Sequence, residues 1–313
     1  MSPEDLRKLS RITLVSSLVL GLTLGTSANP PRVAGVPPPA PIPGGTFEAS
    51  AVAYVPGSRG VLFVDDGRSR EILWMELTSA GRQPRPAERV PLGADVTDLE
   101  GMTRDGRYFY VVGSQSKRFG FDGDGLVRFT FDAEQRRIEN VETIRNLKAF
   151  LAAHVAELKG TASRLGDEVL NIEGLAWDPK RHRLLLGLRA PVVDGQALVV
   201  PLIVPDHPAS FTTANLRVDG GGAVRVPLGG AGIRSLEYNA ASDRFDLIAG
   251  AAMNAEKLDF RLVEWGGPSA PAQVREAAVF PKSTKPEGLT RARLDGRDVT
   301  FIVFDTSGYL VME

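Results

Sequence analysis

One short pattern recurs five times and dictates what this chain can fold into. It is an apolar segment around a glutamate, then a turn, then a strand rich in β-branched and aromatic residues. The copies centre on Phe47-Glu48-Ala49, Leu99-Glu100-Gly101, Ile172-Glu173-Gly174, Leu236-Glu237-Tyr238 and Pro286-Glu287-Gly288. The partner strands follow at 61–64, 108–112, 184–186, 245–248 and 299–304. The glutamates are spaced by 52, 73, 64 and 50 residues. Further strand-like runs follow at 197–200, 223–226 and 260–265, with Asp-Gly turns between runs at 105–106, 194–195 and 295–296. A period near fifty, with about four strands per unit, is the signature of a β-propeller. The expected fold is therefore all-β, a propeller of five blades; six blades would need a further copy that we do not find.

Two stretches depart from the period. Across residues 146–159, Leu147, Phe150, Leu151, His154, Val155 and Leu158 fall on one helical face, which predicts a short helical insertion. Its apolar face is expected to pack on the body of the propeller. After 299–304 there is chain for a third strand of the last blade but no fourth. The segment that could complete it from the N-terminal side is Pro-rich, and proline is a poor ladder partner. A three-stranded last blade is the expectation.

The N-terminus reads as an export signal. Arg7, Lys8 and Arg11 precede a mostly apolar run over 12–25, and Thr26-Ser27-Ala28 offers small residues for cleavage. The run is too short to span a bilayer comfortably, and there is no Arg-Arg pair, which favours the Sec route. The expected organisation is a signal peptide over 1–28, a Pro-rich linker over 29–45 and one propeller domain over 46–313. That places the mature protein in the periplasm or outside the cell. An uncleaved N-terminal anchor is the other reading of the same segment.

Composition removes whole classes of chemistry. With no cysteine, disulfides, thiol catalysis and thiolate metal sites are excluded, and the three histidines share no short motif. A net charge of −1 gives no nucleic-acid footprint. The 33 glycines and 22 prolines of 313 residues reflect blade turns and the Pro-rich linker.

The glutamates carry the candidate chemistry. If each faces the axis, Glu48, Glu100, Glu173, Glu237 and Glu287 form a ring. Thr46, Asp98, Asn171, Ser235 and Lys285, two residues earlier, form a second polar ring. Such carboxylates cannot all ionise unaided, because like charges and desolvation both raise their pKa. A bound cation, basic neighbours or protonation would relieve them. Calcium is the expected cation of an oxygen-rich, Cys-free site, with Asp98 joining the five glutamates as candidate ligands. Arg189, Arg234 and Lys285 are the candidate counter-charges. The alternative is that each glutamate accepts backbone N–H groups of the next blade and simply ties blades together. Ser114, after the second strand of the second copy, is a candidate polar group at the channel mouth.

Taken in order, Asp98-Leu-Glu-Gly-Met102, Gly113-Ser114, Asn171-Ile-Glu-Gly-Leu-Ala176, Gly187-Leu-Arg-Ala-Pro191, Gly232-Ile-Arg-Ser-Leu-Glu-Tyr238 and Pro286-Glu-Gly-Leu289 resemble the bacterial domain-of-unknown-function family thirty-six sixteen. The resemblance covers roughly 45–313 and implies a β-propeller. More distantly, the chain is similar to propellers with esterase-like phytase or gluconolactonase activity, which implies an oxygen-liganded metal near the channel.

Three functions are open on these grounds. The first is a calcium-dependent hydrolase of phosphoesters, esters or lactones. Glu173, Glu287 and Glu100 would be its catalytic carboxylates, and Arg189, Arg234, Lys285, Asn171 and Ser114 would hold a small anionic substrate. The second is a non-catalytic ligand-binding propeller. The third is a protein-interaction platform using the helical insertion. A monomer is expected in each case.

Overall fold

Five antiparallel sheets follow one another along the chain, each wound from the axis outward. The computed structural model describes residues 36–68, 70–118, 121–253, 258–270 and 273–313. The expected signal peptide and the first part of the linker lie outside the described residues. Blade I comprises Ala49–Val55, Gly60–Asp65, Glu71–Glu76 and Glu88–Pro91. Blade II comprises Leu99–Arg104, Phe109–Gly113, Gly125–Asp132 and Arg137–Arg145. Blade III runs Asn171–Asp178, Arg183–Ala190 and Ala197–Ile203, its outer edge shared by Arg217–Val218 and Val224–Val226. Blade IV is Ala231–Asn239, Arg244–Ala251, Phe260–Trp265 and Val274–Phe280. Blade V is Pro286–Leu294, Arg297–Phe304 and Gly308–Met312.

Blade V is not three-stranded. Ala40–Pro41 adds a fourth, antiparallel strand, with Ala40 opposite Tyr309 and Pro41 opposite Gly308. Proline is tolerated there because the strand is two residues long and lies at the sheet edge, where its missing N–H breaks no ladder. The neighbouring Ile42 N–H donates to the Ser307 carbonyl at 3.0 Å, and the Phe47 N–H to the Ser307 hydroxyl at 3.1 Å. The chain thus closes the ring with its N-terminal side.

The core explains why the strands are apolar on both faces. Each pair of adjacent blades shares one hydrophobic layer, so the five blades bury five layers. Ala51, Leu62, Val111 and Phe129 pack between blades I and II. Tyr110, Leu126, Ile172 and Leu186 pack between II and III. Leu185, Ile233 and Trp265 fill the space between III and IV, and Ile248, Phe280 and Phe304 that between IV and V. Phe47, Phe63, Phe301 and Tyr309 seal blade V against blade I.

The insertion forms a helix over Leu147–His154 and a 3-10 turn over Ala156–Leu158. Leu147, Phe150, Leu151, Val155 and Leu158 are buried in the layer between blades II and III. The apolar face is spent on the propeller itself, as its helical spacing implies. His154 lies outside that face, exposed and stacked on Phe150 at 4.3 Å.

Candidate functional site

The innermost strand of every blade carries a β-bulge at the same place. The pairing skips one residue between Ala49 and Ala51, Leu99 and Gly101, Ile172 and Gly174, Ile233 and Ser235, and Pro286 and Gly288. A bulged residue is unpaired in the ladder, and its side chain is re-aimed. The five bulged residues are Ser50, Glu100, Glu173, Arg234 and Glu287, and all five line one cleft of about 730 Å³ at one end of the axis. The residue after each bulge is small because the next blade comes very close. A Cβ on Gly288 would stand 2.7 Å from Ala51 Cα, and one on Gly101 2.9 Å from Leu175 Cβ.

The ring therefore differs from the five-glutamate expectation at two blades. In blade I the bulged position is Ser50, and Glu48 lies two residues before it, still lining the cleft. In blade IV the bulged position is Arg234. Glu237 stands three residues further on and lines the opposite mouth of the channel. The glutamate itself was the misleading signal; the small residue after the bulge, Ala51 and Ser235 in these blades, marks the true register.

Arg234 changes the electrostatics of the ring. Its Nε donates to Glu287 Oε2 at 2.6 Å and its Nη2 to Glu287 Oε1, a two-pronged grip. Its Nη1 lies 2.9 Å from Glu173 Oε2, and Arg189 Nη1 donates to Glu173 Oε1 at 2.8 Å. Two arginines thus neutralise two carboxylates and tie blades III, IV and V together at the axis. Burial still pushes the Glu287 carboxyl up to about 7, with Arg234 opposing and Glu173 adding to the shift. The two carboxylates hold Arg234 firmly protonated against its burial.

Among the described residues, Glu100 has no such partner. Burial first, then the nearby Glu173, Asp98 and Asp66, raise its carboxyl well above the usual range, and Arg234 offsets this in part. Asp66, Asp98 and Glu100 each offer a carboxylate oxygen within 4.8 Å of the others. Asp66 follows the second strand of blade I, and its N–H is held by the Glu48 carbonyl at 3.0 Å. Asp98 adopts a left-handed backbone, φ 55°, directly before the inner strand of blade II. Ser114, fully buried, donates its hydroxyl to Asp98 Oδ2 and so stands behind the cleft, holding Asp98. Asp66 is a member that the repeat did not point to, because it lies in a turn outside the inner strands.

Asn171, 3% exposed, lines the cleft with its Nδ2 3.9 Å from Met253 Sδ, and its Oδ1 has no hydrogen-bond partner. Lys285 Nζ pairs with Asp305 at 2.5 Å on the cleft rim. Ala251, Met253, Leu258 and Phe260 give the cleft one apolar wall. Among the described residues, eight carboxylates and four cationic side chains line it. An all-oxygen donor set of this kind fits a hard divalent cation.

At the far mouth, the structural use of a glutamate applies to Glu237. Its Oε1 accepts the Thr290 hydroxyl at 3.2 Å and the Arg291 N–H at 3.5 Å in blade V. Thr103 and Thr290 play the same part for the Trp177 and Tyr54 N–H groups of the next blades.

The profile of the protein-of-unknown-function family DUF3616 matches residues 131–306, more than half of the chain. The chain belongs to the DUF3616 family. No curated protein matches this DUF3616 chain. Among solved structures it is similar to the holo PQQ domain of pyranose dehydrogenase from Coprinopsis cinerea, with TM-score 0.51 and 11% identity over 88% of this chain and 95% of that one. A glucose dehydrogenase gives TM-score 0.50 and 12% identity, over 88% and 98% of the two chains. The periplasmic gluconolactonase PpgL from Pseudomonas aeruginosa gives 0.38 and 14%, over 84% and 70%. At such identities the first two likenesses show a shared fold and nothing of activity. Among the described residues of this DUF3616 member, no helix is long and apolar enough to cross a membrane.

Proposed function

We propose that this protein is an exported, divalent-cation-dependent hydrolase acting on a small neutral ester or lactone in the axial cleft. The observation that carries this reading is the convergence of Asp66, Asp98 and Glu100 beside an arginine-locked carboxylate pair. The Asn171 Oδ1, buried in the same cleft and without a hydrogen-bond partner among the described residues, offers a further neutral oxygen. Asp66, Asp98 and Glu100 would hold the cation, and calcium suits their hard oxygen donors. A cation bound there supplies polarisation of the scissile carbonyl and a more acidic water.

The chain's own residues divide the remaining work. Ser114 fixes Asp98 in one orientation. Arg234 fixes Glu287, whose carboxyl near 7 is matched to proton transfer at neutral pH through its free lone pairs. Arg189 and Lys285 face the cleft with donors to spare for substrate hydroxyls and carbonyl oxygens. The apolar wall of Met253, Leu258 and Phe260 excludes water on one side. Of the three substrate classes open from sequence, phosphoesters fit least, because carboxylates outnumber cationic groups among the described lining residues.

The test is hydrolysis of p-nitrophenyl acetate and δ-valerolactone by the purified protein with calcium, and again after chelation. Activity that falls at least a hundredfold on chelation and in Glu100→Gln supports the reading. Full activity in Glu100→Gln, or none on any neutral ester or lactone, contradicts it.

A second reading has its own observation. The Arg189–Glu173–Arg234–Glu287 array joins three blades and would serve a non-catalytic ligand-binding propeller equally well. In that case a bound cation would stabilise the protein without any turnover.

A further inference from the structure

We infer that the mouth opposite the axial cleft is a second binding site, for a small ring-bearing carboxylate. It stands apart from the reading of the axial cleft and uses none of its residues.

The site is built by the repeat. Four residues beyond each bulge stand Tyr54, Arg104, Trp177, Tyr238 and Arg291, one from each blade, and all five line a cleft of about 360 Å³. Around the axis the order is aromatic, cation, aromatic, aromatic, cation. Such a rim offers ring faces for stacking and guanidinium groups for a carboxylate.

Four of the five side chains are held by the protein itself. The Tyr54 hydroxyl donates to the Arg293 carbonyl at 2.8 Å, and the Tyr238 hydroxyl to Asp243 at 2.7 Å. Trp177 stacks on Tyr110 at 6.2 Å with nearly parallel rings. The Arg291 guanidinium donates to Thr300 and lies 3.7 Å from Asp246.

Arg104 is the exception. Among the described residues, no carboxylate stands within ion-pair distance of it; burial lowers its pKa, and Glu237 and Asp105 offset this only in part from further away. Both acids beside it hold other groups and reach it only from beyond ion-pair distance. Asp105 takes the Arg107 and Tyr108 N–H groups and the Tyr110 hydroxyl. Glu237 takes the Thr290 hydroxyl and the Arg291 N–H of blade V. A half-buried guanidinium without a direct carboxylate contact among the described residues, set between fixed aromatic walls, is a place where an incoming carboxylate gains a charge-assisted bond. The volume fits a single six-membered ring.

The rings of an aromatic acid and of a sugar acid share this chemistry, so both serve as probes. Indole N–H signals of the uniformly 15N-labelled protein are followed by NMR during titration with benzoate and, separately, glucuronate. Benzamide and methyl glucoside are the neutral controls. The three tryptophans are Trp74, Trp177 and Trp265, and Trp177 alone lines this mouth among the described residues. The expected result is a saturable shift of the Trp177 signal with at least one carboxylate and not with its neutral control. Arg104→Gln should weaken it at least about tenfold, as befits loss of a charge-assisted pair. Asp98→Asn at the other mouth should leave it unchanged. Unmoved Trp74 and Trp265 signals in Arg104→Gln show that the variant is folded, and Arg104→Lys should restore part of the affinity. Absence of a saturable Trp177 shift with both carboxylates, or a shift that survives Arg104→Gln, overturns the proposal.

Discussion

The guanidinium of Arg234 grips both oxygens of the Glu287 carboxylate, and so places a positive charge inside a ring that the repeat would otherwise make wholly acidic. Both side chains are largely buried, with 10% and 8% of their surfaces exposed. Removing one partner from a buried pair leaves an uncompensated charge. Arg234→Gln should therefore cost about 3–5 kcal/mol by denaturant unfolding. Adding Glu287→Gln to it should recover part of that loss. An unchanged midpoint in Arg234→Gln would show that the pair does not hold the blades.

Stability should fall between mildly acidic and neutral pH. Burial raises the Glu237 carboxyl from 4.5 to about 7, against the hydrogen bonds of Arg291 and Thr290. A carboxyl raised in the folded state binds its proton more tightly there than when unfolded. Its contribution is full below about 4.5 and is lost as pH rises through about 7. Glu287 acts in the same direction. Unfolding midpoints measured across this range should decline, and Glu237→Gln should flatten the decline. A wild-type midpoint that climbs over the interval attributed to Glu237 would count against its buried placement.

The close approach of blades at the axis predicts intolerance at one glycine. A methyl on Gly288 would meet Ala51 Cα at 2.7 Å, a backbone atom that can yield only if blades V and I separate. Gly288→Ala should destabilise by about 1–3 kcal/mol, the range for overpacking. A midpoint within experimental error of wild type would mean that the blades are less tightly apposed.

Buried Arg128 should matter as much as any aromatic core residue. It is fully buried, pairs with Glu142 at 2.6 Å, donates to the Pro205 carbonyl at 2.6 Å and lies over Tyr108 and Phe211. Arg128→Ala strips Glu142 of its partner and leaves a cavity between blades II and III. A loss of about 3 kcal/mol or more is expected on both grounds. Arg128→Lys, with a point charge in place of a planar fork, should restore only part of it.

How far the sequence revealed all this depended on what each residue had to do. Blades II, III and V were legible because a glutamate at the bulge and a glycine forced by blade contact coincide as Glu-Gly. Blades I and IV were found but misregistered, because Ala51 and Ser235 meet the same spatial demand without spelling Glu-Gly. A bulge is a property of pairing between strands, so no single strand announces it. That is why Arg234 read as a neighbour of the ring instead of a member. The strand Ala40–Pro41 was hidden because two residues carry no periodicity and proline argues against a ladder. Asp66 was hidden because its position comes from a turn rather than from the repeat. The helix at 147–154 was plain, since six apolar or aromatic positions at helical spacing leave little else to form.

The proposed cation site of Asp66, Asp98 and Glu100 can be tested on the protein itself. The direct measurement is a calcium titration of the melting temperature of the chelator-treated protein, repeated on Asp98→Asn. Binding to the folded state alone at one hundred times Kd adds about 2.7 kcal/mol, a rise of about 5 °C or more for a domain of this size. The wild type should show that rise and Asp98→Asn should lose it. A melting temperature that does not move with calcium, magnesium or manganese, or one that moves equally in Asp98→Asn, would contradict the proposed site.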